Sequence, residues 1–200
     1  MLAPPPRAYY ISAMDPLATR VLDFWFGDGT AARIEWFRKD PAFDDAIRAQ
    51  FGDAVEAALG GACTDWTGTA QGALALVLLL DQFTRNIHRD TPRMFAGDAR
   101  ALAVGDAAVA ASLDRELSPH QRWFLYLPFE HAEDPAMQER SLALFTRLAQ
   151  ETGLHEPLEW ARKHAAVIHR FGRYPHRNEI LGRASTPEEI AFLAEPGSRF

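Results

Sequence analysis

A carboxylate stands directly beside an imidazole at Glu130-His131, with Glu133 and Asp134 close behind and prolines at 128 and 135 on either side. Such a pair can do acid–base work, with Glu130 or His131 as the general base, or it can ligate a divalent metal together with Glu133. The structural alternative is local: Asp134 caps the next helix, Glu133 adds favourable charge near its start, and Glu130 pairs with an arginine. The two prolines predict a kinked connection here rather than a long helix.

A second cluster is Asp81, Gln82, Arg85, Asn86 and Arg89. Asp81 and Arg85, and Arg85 and Arg89, are four residues apart, so on a continuous helix they share one face. There Arg85 either pairs with Asp81 in a buried network or joins Arg89 to cradle an anion. The third cluster lies in the basic stretch from Arg162 to Arg183, where six cations face Glu179 alone. Arg173, His176, Arg177, Asn178 and Arg183 offer planar donors suited to carboxylate or phosphate. Gly172 and Pro175 punctuate the backbone among them and re-aim them between two helices. His164 and His169, five residues apart, point about 140° away from each other on a helix, so at most one joins a site. No His-Glu-x-x-His, Walker, Gly-x-Ser-x-Gly or Rossmann pattern is present.

The elements that must position these groups read as helices throughout. A capping side chain precedes proline at Asp15-Pro16, Asp40-Pro41, Thr91-Pro92, Ser118-Pro119, Asp134-Pro135 and Thr186-Pro187. Each pair marks a helix start, because the cap accepts from an orphan amide and proline lacks only an N–H that had no partner. Gln121 and Glu189 complete capping boxes. Apolar spacing predicts helices over 16–26, 41–59, 70–87, 93–112, 119–127, 135–151, 157–171, 174–182 and 187–194. The expected fold is therefore all-α, about nine helices packed as antiparallel pairs. The 70–87 helix has no polar face from Leu74 to Leu80 and should run through the middle, carrying Asp81, Gln82, Arg85 and Asn86 into the interior or a cleft.

Residues 1–14, with Pro4-Pro5-Pro6 and a second methionine at Met14, read as a disordered tail whose true start is Met14, and 15–200 as a single domain. The net charge of −6 argues against a nucleic-acid partner. The apolar run from Ala73 to Leu80 is too short to cross a membrane, and one cysteine, Cys63, suits a reducing cytoplasm. Phe24-Trp25-Phe26, Trp36-Phe37 and the aromatics from Trp123 to Tyr126 read as core packing.

Taken in order, several uncommon motifs resemble the bacterial DUF924 family. They are Val21-Leu22-Asp23-Phe24-Trp25-Phe26-Gly27, Trp36-Phe37, Leu78-Leu79-Leu80-Asp81-Gln82-Phe83, Arg85-Asn86, Pro128-Phe129-Glu130-His131 with Glu133-Asp134, and Phe171-Gly172-Arg173 through Gly182-Arg183. The resemblance implies a tetratricopeptide-like α-superhelix and brings no established reaction. Thr84, Ala132 and Tyr174 depart from the family's usual proline, serine and phenylalanine, which argues against a hydroxyl mechanism at 132.

The expected function is a polar groove that binds a small anionic molecule. Arg85, Arg89, Arg173 and Arg177 would hold the anion, Asn86 and His176 would orient it, and Asp81 and Glu130 would balance charge. The alternatives are a hydrolase or lyase using Glu130 and His131, with or without a divalent metal, and a scaffold for a protein partner.

Overall fold

The computed structural model describes residues 14–27 and 32–198. Eight helices carry the fold: α1 Pro16–Phe26, α2 Pro41–Leu59, α3 over residues 70–87, α4 Asp98–Ala110, α5 Pro119–His131, α6 Pro135–Thr152, α7 Glu156–Phe171 and α8 Pro187–Leu193. No strand occurs among the described residues, and none of their helices is long and apolar enough to cross a membrane. The expectation for the first residues falls on 1–13, outside the described ones.

The proline starts work as their chemistry dictates. Asp15, Asp40 and Asp134 accept first-turn amides, and Ser118 with Gln121 and Thr186 with Glu189 close reciprocal capping boxes. Thr91 is the exception. Its hydroxyl donates to the His88 carbonyl at 2.7 Å and caps nothing, so the expected 93–112 helix divides into a short turn, Pro92–Phe95, and α4. The expected helix over 174–182 is likewise only a 3-10 turn, Pro175–Arg177. Beyond it the backbone closes separate local turns, with Leu181 donating to the Arg177 carbonyl and Arg183 to that of Asn178, while the Tyr174 amide donates to Glu133 at 2.7 Å.

Helix α3 runs through the centre, in contact with α1, α2, α4 and α5, and Leu74 to Leu80 are fully buried along it. From Leu78 to Phe83 it widens into a π-helical turn. Such a turn inserts a residue and loosens the hydrogen-bond ladder, a feature often met at functional sites. Thr84 donates to the Leu79 carbonyl at 2.8 Å, and Arg85 to the Asp81 carbonyl at 2.9 Å, which satisfies the disturbed ladder. Gly97, just before α4, closes on the turn so tightly that a Cβ there would lie 2.1 Å from the Leu80 oxygen.

The stretch expected to be a kinked connection is instead the end of α5, which continues past Pro128 to His131. Proline removes one amide, but the helix end is anchored from outside. Gln138 on α6 donates to the Glu130 and Ala132 carbonyls at 2.9 and 2.7 Å, and Arg177 to the His131 carbonyl at 3.0 Å. Glu130 and His131 therefore stand on a helical turn held at its carbonyls by two other elements. Helices α5, α6 and α7 pack on each other in succession through connections of three residues or so, which makes each neighbour antiparallel to the last.

Candidate functional site

A cavity of about 710 Å³ opens between the turn after α1, the end of α3, the turn before α4, α5, α7 and the Pro175–Arg177 turn. Among its polar lining groups are Gln82, Glu130, His131, His164, His176 and Arg177. This brings the ends of three sequence clusters, some ninety residues apart in the chain, onto one half-open cleft.

Behind the wall lies Asp81, wholly buried on the π-helical turn. Its Oδ1 is 2.7 Å from His131 Nδ1 and 2.9 Å from Arg85 Nη1. Burial alone would raise the Asp81 carboxyl, but the charge of Arg85 and the hydrogen bond from His131 override it and hold it well below the usual carboxylate range. Burial in turn pushes the His131 imidazole down, with Arg85 adding to the effect against Asp81. A neutral imidazole facing an ionised carboxylate carries its proton on the facing nitrogen, so Nδ1–H donates to Asp81 and Nε2 is left as the basic atom. Arg85 completes the support with a two-pronged pair to Asp98, at 2.8 and 3.0 Å.

Glu130 behaves in the opposite way. It is buried at 2% exposure, and burial, helped by the nearby charge of Asp81, pushes its carboxyl up to about 8. It is thus protonated at neutral pH. Its Oε1 lies 3.1 Å from His164 Nδ1, which also donates to the Trp160 carbonyl at 2.9 Å. Burial pulls His164 down to about 3, so this ring too is neutral, with its proton on Nδ1. With Oε1 set 3.1 Å from that N–H, the Glu130 proton belongs on Oε2. That oxygen is buried and has no hydrogen-bond partner among the described residues, a situation that native structures rarely leave unmet.

The arginines expected to share one anion are differently employed. Arg89 lines the cavity but grips Asp44 through two bonds of 2.8 Å, and Asn86 donates to the same carboxylate at 2.6 Å. Since α3 ends at Ile87, Arg89 lies beyond the helical face on which it was expected beside Arg85. Arg173 is absent from the cavity wall; it grips Glu189 at 2.6 and 2.8 Å and donates to the Ala184 carbonyl. Arg177 differs from these. It is buried close to two rings, Phe95 at 4.8 Å and Tyr174 at 4.5 Å. Its nearest carboxylate, Asp98, stands off at 3.6 Å, and its Nε has no partner among the described residues. Burial and then the charge of Arg85 lower its pKa, the mark of a cation short of compensation.

Glu133, considered with Glu130 and His131 as a metal ligand, accepts instead from Arg183 at 2.6 and 2.9 Å and from the Tyr174 amide. Among the described residues no group of three or more His, Cys, Asp or Glu side chains could hold a metal ion. Of the two histidines on α7, His164 reaches the cavity, while His169 pairs with Glu139 at 3.1 Å. Sequence reasoning missed Asp44, Asp98 and Gln138, whose partners lie far along the chain or on other elements. It also assigned Trp36-Phe37 to the core, whereas both line the cavity and Phe37 is 56% exposed.

A family model described as a bacterial protein of unknown function (DUF924) matches residues 21–197. The chain is also similar to a protein of unknown function from Agrobacterium tumefaciens whose structure has been solved. The two are 43% identical with a TM-score of 0.81, over 89% of this chain and 97% of that one. No curated protein matches. The matched span takes in every lining group named above, and the chain belongs to the DUF924 family of bacterial proteins of unknown function.

Proposed function

We propose that the cavity binds a small anionic molecule and carries out acid–base chemistry on it. Glu130 supports this reading most directly, being a buried, protonated carboxyl whose Oε2 lacks a partner among the described residues. Two titratable neighbours set for opposite tasks are the usual sign of an acid and a base. Here Glu130 is the acid, donating from Oε2, and His131 the base at Nε2, oriented by Asp81. Arg177 is the cation for the anionic group, with His176 beside it on the wall. Arg85, Arg89 and Asn86 act as supports, since each is already bonded to a carboxylate. The volume suits a metabolite rather than a peptide. The lone Cys63 fits a cytoplasmic setting.

The reaction class in this reading is a proton-transfer step, as in a lyase, isomerase or hydrolase. The test is to incubate the protein with mixtures of small organic acids and phosphate esters and follow each component by NMR. Glu130→Gln and His131→Asn serve as controls, with circular dichroism to check folding. The expected result is turnover of one component by the wild type that both variants lose by about 100-fold or more. Turnover unchanged in both variants, or none by any form, overturns the reading.

A further inference from the structure

The side of the cavity that the acid–base groups leave unused is aromatic. Trp36 and Phe37 reach it from the turn after α1, Phe95 from the turn before α4, Trp123 from α5 and Trp160 from α7. Phe37 and Trp160 are 56% and 38% exposed, whereas Trp25 and Trp123 are 1% and 2% exposed. Leaving large rings in water forfeits the gain of burying them, and both of these line the same half-open cleft. Phe37 stacks on Trp123 with centroids 5.1 Å apart and planes 27° from parallel. Flat ring surfaces thus make up a large share of the wall, alongside Leu127 and Ile180. At Arg177, the rings of Phe95 and Tyr174 lie 4.8 and 4.5 Å from the guanidinium carbon. Its remaining hydrogen bonds must run in its own plane, the direction in which guanidinium meets carboxylate.

We infer that the molecule taken by this cavity is an aryl carboxylate, with its flat ring against Phe37 and Trp160 and its carboxylate at the in-plane edge of Arg177. The inference rests on the reading of the cavity as an anion-binding acid–base site. An aromatic ring gains edge and face contacts with Trp and Phe beyond the area it buries. A saturated ring of the same charge and similar size gains the area alone. The cavity, at about 710 Å³, has room for an acid of one or two rings.

Calorimetry and thermal unfolding with benzoate, indole-3-acetate, cyclohexanecarboxylate, acetate and inorganic phosphate test this. Phe37→Leu and Trp160→Leu are the variants, chosen because exposed rings can be trimmed without emptying the core. The expected result is that an aryl acid binds about fivefold more tightly than cyclohexanecarboxylate, and that either variant removes most of that preference. Equal affinity for the saturated acid overturns the inference, as does a preference untouched in both variants. Binding of acetate or phosphate without preference for the aryl acids overturns it while leaving the anion site standing. Failure of every probe to bind removes both.

Discussion

Burial treats Glu130 and His131 alike, favouring the neutral form of each, and what separates their roles is the neighbour each one meets. His131 faces an ionised Asp81 and keeps Nε2 as its basic atom, while Glu130 faces the N–H of a neutral His164 and keeps its own proton. The adjacency of the pair was legible in the sequence. Its division of labour was not, because Asp81 and His164 lie far away in the chain and nothing local announces them. Stability should register the raised carboxyl. Between the ordinary 4.5 and about 8 the folded state holds a proton that the unfolded chain has released, so stability falls as pH rises through that window. His164 works the other way between about 3 and 6.5, where the unfolded chain takes up the proton and stability rises with pH. The two slopes oppose each other below 6.5. Above it, up to about 8, Glu130 acts without that opposition, at about 1.4 kcal/mol per pH unit. Chemical denaturation at pH 6.5, 7.3 and 8 should show this decline in the wild type and its absence in Glu130→Gln.

At the scale of elements, helix starts were readable because a cap and its proline act within four residues. Helix ends were not, since α5 is carried past Pro128 by donors from α6 and from the Pro175–Arg177 turn. Gln138→Leu keeps the apolar bulk and removes the amide that serves two of those carbonyls. It should cost about 2–3 kcal/mol in denaturant unfolding and loosen the Glu130 turn, seen as faster amide exchange there. The π-helical turn was equally hidden, because the Leu74–Leu80 run reads as ordinary helix. Gly97 is its mate. Gly97→Ala forces a methyl group onto the Leu80 carbonyl, and the backbone shift it demands should cost about 1–3 kcal/mol. At this chain length that is a drop of at least about 2–4 °C in thermal midpoint. The same substitution at Gly52, where a Cβ meets nothing within 4 Å, should leave the midpoint unchanged or raised.

At the scale of the whole molecule, the sequence located the central helix and the all-α class, since seven consecutive apolar residues permit no surface face. The basic C-terminal stretch also stood out, but its net charge suggested a focused positive site that the fold largely dissolves. Arg85, Arg89, Arg173 and Arg183 each meet a carboxylate from another element, and Arg177 is left as the partly compensated cation in the wall. Charge counting along a segment cannot foresee this, because the cancelling carboxylates come from Asp44, Asp98, Glu133 and Glu189, spread over the chain.

The dependence of α5 on Arg177 also has a bearing on how the protein comes into being on the ribosome. Helices α1 to α5 emerge first and already contain Asp81, Glu130 and His131, yet the donor to the His131 carbonyl, the rings flanking that donor and the imidazole facing Glu130 are supplied in part by residues 160–177. A growing chain therefore carries Glu130 and His131 through the synthesis of a further 46 residues without the wall that gives them their separate characters. Only when residues 160–177 have folded back is the cavity complete, so truncation just before Tyr174 should yield a helical protein whose cavity lacks its last wall.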